Sequence, residues 1–194
     1  MRTILRAAVI AIACLAPALA CAEEGGHPIT FLRVPDSLKD TEIHISKLLL
    51  EKLKVNTTLE ARKDNPEDLI VRAKFNPVKD RNIPAIIILI DTHLARRASD
   101  KKPISQVISI ASIADIKLKQ DKRNEILEWA NTLNSQSVPM HVYLAGDRLT
   151  IGRNLYNAPE VPLPENAVTD SFTRLYRAWV AVLAELRKRD FIEN

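Results

Sequence analysis

Four polar side chains in the segment HVYLAGDRLTIGRNL could recognise a partner. His141, Tyr143, Thr150 and Asn154 fall in one phase of two alternating runs around Gly146-Asp147, so they share a face. Tyr and His give such a face amphipathic contact surface. In an antiparallel hairpin with one buried side, the ordinary fate of the other side is solvent. Asp91 and His93 make a second combination: two positions apart in an extended run, they point the same way, and a carboxylate can orient an imidazole as a general base. The spacing supplies no nucleophile or third group, so the pair reads as a strand end bonding locally or meeting water. Asp64, Glu67 and Asp68 lack the loop glycine and spaced oxygens of a calcium loop and read as an acidic turn. His44 and His141 stand alone and read as surface histidines. The chain contains no G-x-S-x-G elbow, phosphate loop, zincin helix or paired-cysteine site. The expectation is therefore no catalytic residue, no cofactor and no metal.

Composition sets the frame for these residues. The 194 residues are 46% hydrophobic, enough for one domain with a real core. Only 5% are aromatic and four are glycine, which leaves little material for base-stacking platforms or phosphate cradles. Arg2 and Arg6 precede an apolar stretch from Ala7 to Leu19 that ends in small residues, as a secretory signal does. Ala18-x-Ala20 and Ala20-x-Ala22 both satisfy the cleavage rule, making residues 1–22 a leader and 23–194 the domain. Ala18-Leu19-Ala20-Cys21 also resembles a bacterial lipoprotein box, with Cys21 as the lipidated residue. Loss of the leader takes two arginines, lowering the formal charge from +4 to +2. A surface so nearly balanced argues against nucleic-acid capture. Cys14 leaves as well, so no intramolecular disulfide can form.

The elements that must position the candidate residues follow from periodicity. ITFLRV reads as a first strand or ordered arm, and Asp40 as the cap of a helix carrying Ile45, Leu48, Leu49 and Leu53. Val55 to Arg62 and Leu69 to Phe75 read as strands, the second half-buried. AIIILID shows no alternation, which predicts a central strand covered on both faces. His93 to Pro103 reads as a solvated basic loop, and Ile104 to Ile116 as another strand. Asp121 would cap a helix through Leu133, with Asn134-Ser135 ending it. In the hairpin, Leu144 faces Leu149, Val142 faces Ile151 and Gly152 faces His141. Three prolines in APEVPLP then lead to a final helix, with Thr169 as its cap and Val168, Phe172, Leu175, Trp179, Val182 and Leu186 on one stripe. The fold class is α+β: a single domain with a mostly antiparallel sheet packed by about three helices.

NEILEWANTLN, MHVYLAGDRLTIGRNL and AVTDSFTRLYRAWVAVLAEL together resemble the YbjN-like domain family, whose fold is similar to that of type III secretion chaperones. The resemblance spans roughly Ile104 to Lys188. Upstream the chain carries an extra strand, and its Pro-rich connector replaces a Gly-rich turn. What the resemblance implies is a secretion-chaperone-like fold, a non-catalytic role, binding of polypeptide segments through sheet and helix surfaces, and a homodimer. The leading reading is a periplasmic or secreted, non-enzymatic protein- or peptide-binding module. It would act through a sheet edge or through His141, Tyr143, Thr150 and Asn154. A membrane would be a partner only if Cys21 is lipidated, which would make the chain an anchored envelope assembly factor. A small hydrolase-type enzyme around Asp91 and His93 is the third reading.

Overall fold

The computed structural model describes residues 29–35, 37–66, 68–136 and 140–193. The expected leader, with Ala20, Cys21 and Ala22, lies outside the described residues. The elements run α1 (Leu38–Leu53), β1 (Thr57–Ala61), β2 (Leu69–Phe75), β3 (Ile86–Arg96), β4 (Pro103–Ala114), α2 (Arg123–Gln136), β5 (His141–Ala145), β6 (Arg148–Asn157) and α3 (Glu165–Lys188). The six strands form one sheet in the order β1-β2-β3-β4-β6-β5, and each neighbouring pair is antiparallel. The fold is thus α+β, as the periodicities require.

Register explains which residues became core. Val71, Ile90 and Ile110 align across β2, β3 and β4, as do Ala73, Ile88, Ser112 and Ile151 from β2 to β6. This face receives α1 and α3. Ser46 on α1 bonds Thr57 at 2.6 Å, Thr41 accepts from Gln106 at 2.8 Å, and Trp179 on α3 donates to Ser112. Trp179 is fully buried, so its indole N–H needs such an acceptor. Gln106 and Ser112 are polar residues in the apolar phase of β4, and each is buried because a helix side chain satisfies it.

Several expectations shift by a turn or less, each for a local reason. The α1 cap is Ser37, whose hydroxyl donates to Asp40 at 2.8 Å; Asp40 itself lies in the first turn, where a negative charge suits the helix dipole. A 3-10 turn over Gln120–Lys122 absorbs Asp121, so α2 begins at Arg123. The last helix begins at Glu165, one turn before Thr169. Pro164 enters with φ −62°, and the Glu165 amide bonds Thr30 O at 2.9 Å. Thr30 belongs to the expected N-terminal arm, which is tied at Phe31 by an isolated bridge to Pro164. His93 to Pro103 is shorter as a connection than expected: β3 runs on to Arg96 and β4 begins at Pro103, leaving six residues, 97–102, as the turn.

β3 does occupy the middle of the sheet, but among the described residues helices cover it on one face only. Ile86, Ile88 and Ile90 are fully buried there, whereas Ile87 and Leu89 on the other face are half-buried. Continuous apolarity in this strand therefore reflects an apolar outer face, not a second covering layer.

Candidate binding surface

The uncovered face of the sheet gathers Ile70, Ile87, Leu89, Val107, Ala111 and Ile113 at its centre, all half-buried. Tyr143 and Tyr156 stand beside them at 43% and 71% exposure. Six strands spaced about 4.8 Å apart, with central strands of 11 and 12 residues, make a face about 24 Å wide and about 36 Å long. The face shortens to about 17 Å at β1 and β5, each five residues long.

The hairpin places the four expected residues as the alternation requires. His141 pairs Gly152, Tyr143 pairs Thr150 and Leu144 pairs Leu149. Gly146 takes φ 63° at the first turn position, the glycine-first pattern of type II′ hairpins. His141, Tyr143 and Asn154 are exposed, while Thr150 on the same face is only 2% exposed. Its cross-strand neighbours, Tyr143 on β5 and Ile113 on β4, are both larger and enclose it. Tyr143 also leans over Gly152: a Cβ built there would lie 3.2 Å from its ring. The ring covers the gap the glycine leaves, and burial pushes the Tyr143 phenol up.

A second polar assembly lies where the turn from β1 to β2 meets β3. Asp91 and His93 share a face, with Nε2 3.5 Å from the carboxylate. That carboxylate is held by the Arg62 guanidinium, whose Nε also lies 3.0 Å from Asp68. Glu42 of α1, fully buried, accepts from Thr92 Oγ1 at 2.6 Å and from the Leu69 amide at 3.1 Å. Burial pushes its carboxyl up; the two hydrogen bonds oppose that, and the charges of Asp68 and Asp91 add to it. Oxygens of Glu42, Asp68 and Asp91 come within 4.8 Å of one another, close enough to share a cation. Arg62 supplies one to Asp68 and Asp91, so these three form an ionic lock between the turn and β3, and Glu42 ties α1 beside it through its hydrogen bonds from Thr92 and Leu69. Asp68, expected as part of an acidic turn, is a member of this lock and is buried. His44 is likewise engaged, with Nε2 2.7 Å from Glu165 at the start of α3.

The two sheet edges differ. At β5, Asn134 of α2 accepts from the Val142 amide at 2.7 Å and donates to Val142 O at 2.8 Å. One side-chain amide thereby stands in for a neighbouring strand. Sequence reasoning took Asn134 only as a helix terminator and passed over Glu42, Arg62 and Gln106. Glu42 and Gln106 did carry a signal, since each is a polar residue in phase with an apolar stripe. Arg62 carried none, because its partners, Asp68 and Asp91, come from two separate segments. No protein-family model matches the chain, and no curated protein matches its sequence.

Proposed function

We propose that this chain is a non-enzymatic polypeptide-binding module of the bacterial envelope that docks a protein partner on the uncovered face of its sheet. The observation that carries this reading is the asymmetry of the sheet: α1 and α3 bury one face, while the other presents an apolar centre flanked by exposed Tyr143 and Tyr156. An apolar centre beside amphipathic aromatics is the composition of interface cores. The engagement of Asp91 by Arg62 supports a non-catalytic role, because that carboxylate is committed to the lock instead of to His93. The leader pattern supports the compartment, and the resemblance of Ile104 to Lys188 to YbjN-like domains supports the same class of function.

The test is site-specific photo-crosslinking in envelope preparations, with the reactive residue placed in turn at Tyr143, Tyr156 and, as a control on α3, exposed Val180. A discrete protein adduct from the two tyrosine positions and not from Val180 is the expected result. Equal labelling at all three positions, or adducts from Val180 alone, would overturn the reading.

A further inference from the structure

The sheet opens where β2 and β3 part. Their ladder runs from Phe75 with Ile86 to Val71 with Ile90 and stops there. Arg62 donates its amide to Asp68 O at 2.9 Å, which sets the phase of the β1-β2 ladder and turns the Leu69 amide toward β3. That amide is taken by Glu42 Oε2 at 3.1 Å, so the Glu42 carboxylate stands where the next rung of the ladder would be. Through this opening Glu42, from the helix side of the sheet, meets Asp91, which shares the outer face with Leu89. Asp68 joins them from the turn, and oxygens of all three lie within 4.8 Å of one another.

Arg62 answers only half of the two aspartates. Its guanidinium meets Oδ2 of Asp68 and Oδ2 of Asp91. The other oxygen of each, Asp68 Oδ1 and Asp91 Oδ1, is buried and among the described residues receives no hydrogen bond. Asp68 is only 9% exposed, so its orphaned oxygen has no bulk water to turn to. Glu42 is fully buried, and both of its oxygens accept hydrogen bonds, from Thr92 and Leu69, as those of an ionised carboxylate do. Three carboxylates against one guanidinium leave two negative charges uncompensated. A water molecule would meet the free lone pairs and leave that charge standing, whereas a dication meets both.

We infer that Glu42, Asp68 and Asp91 form a binding site for a divalent cation of calcium's size, held by the free oxygens of the two aspartates and by Glu42 while Arg62 stays in place. The donors are all carboxylate oxygens, a set that selects hard ions over zinc or copper. Size narrows the choice further. Oxygens on opposite sides of a calcium ion lie about 4.6–5.2 Å apart, so a cluster spread over no more than 4.8 Å closes on it with little movement. Magnesium needs about 4.0–4.2 Å across, in a strict octahedron, and keeps several waters; a buried set of carboxylates suits it less well. The ion would enter past Asp91 and His93, whose side chains are 24% and 57% exposed, and water would complete its shell from that side. The ligands come from α1, the β1-β2 turn and β3, so no loop motif announces them. Arg62 offsets part of the charge, which places the affinity with that of extracellular calcium modules, a Kd on the order of 0.1–1 mM. The inference is independent of the docking reading, since it uses the gap between β2 and β3 and not the apolar centre of the outer face.

Calcium chloride is the probe, titrated calorimetrically into the protein after treatment with a chelator. A single class of site in that range is expected, and about 10 mM calcium should raise the folding equilibrium constant, read from urea unfolding, about tenfold to a hundredfold. Magnesium chloride should bind about tenfold more weakly or worse. Asp68→Asn and Asp91→Asn each exchange a charged ligand for a neutral amide and should weaken calcium binding about tenfold or more. Both also loosen the hold of Arg62, so Glu42→Gln supplies a third variant that leaves both ion pairs of Arg62 untouched and should lose calcium while staying folded by circular dichroism. Asp64→Asn removes an exposed acid from the same turn and should leave the affinity within about twofold. Neither heat nor stabilisation at about 10 mM calcium, magnesium bound as tightly as calcium, or folded Glu42→Gln that binds calcium like the wild type would overturn the inference. So would an equal loss from Asp64→Asn and Asp68→Asn, which would mark diffuse attraction to an acidic turn.

Discussion

At the β5 end of the sheet the backbone is met by Asn134, whereas at the β1 end the polar chemistry is spent on Glu42, Arg62, Asp68 and Asp91, and among the described residues no backbone group meets the outward amides of Thr57, Leu59 and Ala61. Both arrangements fasten a helix or turn to a terminal strand. One does it with a neutral amide that also finishes the edge; the other uses ionisable groups and leaves the edge open. The difference teaches that closing an edge and anchoring the element beside it are separate problems. A single side chain solves both at β5, where Asn134 of α2 reaches the Val142 amide and carbonyl.

Three substitutions probe this contrast. The largest effect is expected from Arg62→Met, which removes the cation from between Asp68 and Asp91. Breaking a buried pair costs about 3–5 kcal/mol, and since these side chains keep some solvent contact the expected loss is about 2–3 kcal/mol, read from urea unfolding. If stability falls by only a few tenths, the lock is surface decoration. Next, Asn134→Ala should cost about 1–2 kcal/mol for two neutral hydrogen bonds. It also bares the Val142 backbone, so this variant should associate through β5 more than the wild type does; sedimentation that shows no difference between the two would mean that Asn134 does not guard the edge.

The smallest effect at neutral pH, and the most pH-dependent, is expected from Glu42→Gln. The folded protein holds the Glu42 proton more tightly than the unfolded chain, so its contribution is fully present below the ordinary value near 4.5 and is lost as pH rises through the higher folded value. The Gln variant cannot ionise at this position. It should therefore gain on the wild type as pH rises across that window, while Asn134→Ala keeps a constant offset. Parallel stability curves for wild type and Gln variant would remove Glu42 from the account.

Legibility in the sequence followed the same divide. Alternation in HVYLAGDRLTIGRNL was enough to place every pairing of the hairpin, because a two-residue turn with glycine first leaves one register that buries both apolar sets. The apolar stripe from Val168 to Leu186 likewise marked α3, and its start was displaced only because the Thr30 carbonyl satisfies the Glu165 amide, a contact no local pattern encodes. AIIILID was legible as the middle of the sheet but not as one-sided, since an open apolar face and a covered one have the same composition. Within the candidate surface, exposure of His141, Tyr143 and Asn154 followed from phase; burial of Thr150 depended on the bulk of Ile113, a neighbour far along the chain. The ionic lock and Glu42 beside it stayed hidden for the same reason, their members being drawn from α1, the β1-β2 turn and β3.

The two short stretches at either limit of the described chain are sutured to distant segments: Leu32 and Thr30 to Leu163 and Glu165, Phe191 and Glu193 to Lys119 and Lys117. The first suture closes a loop that holds the whole sheet, and contacts of such sequence separation raise the entropic barrier to folding. Neither the arm nor the tail can dock until its far partner has been synthesised and positioned. The chain should therefore acquire its last native contacts late and slowly, with the strand pairs β3-β4 and β5-β6 formed ahead of them.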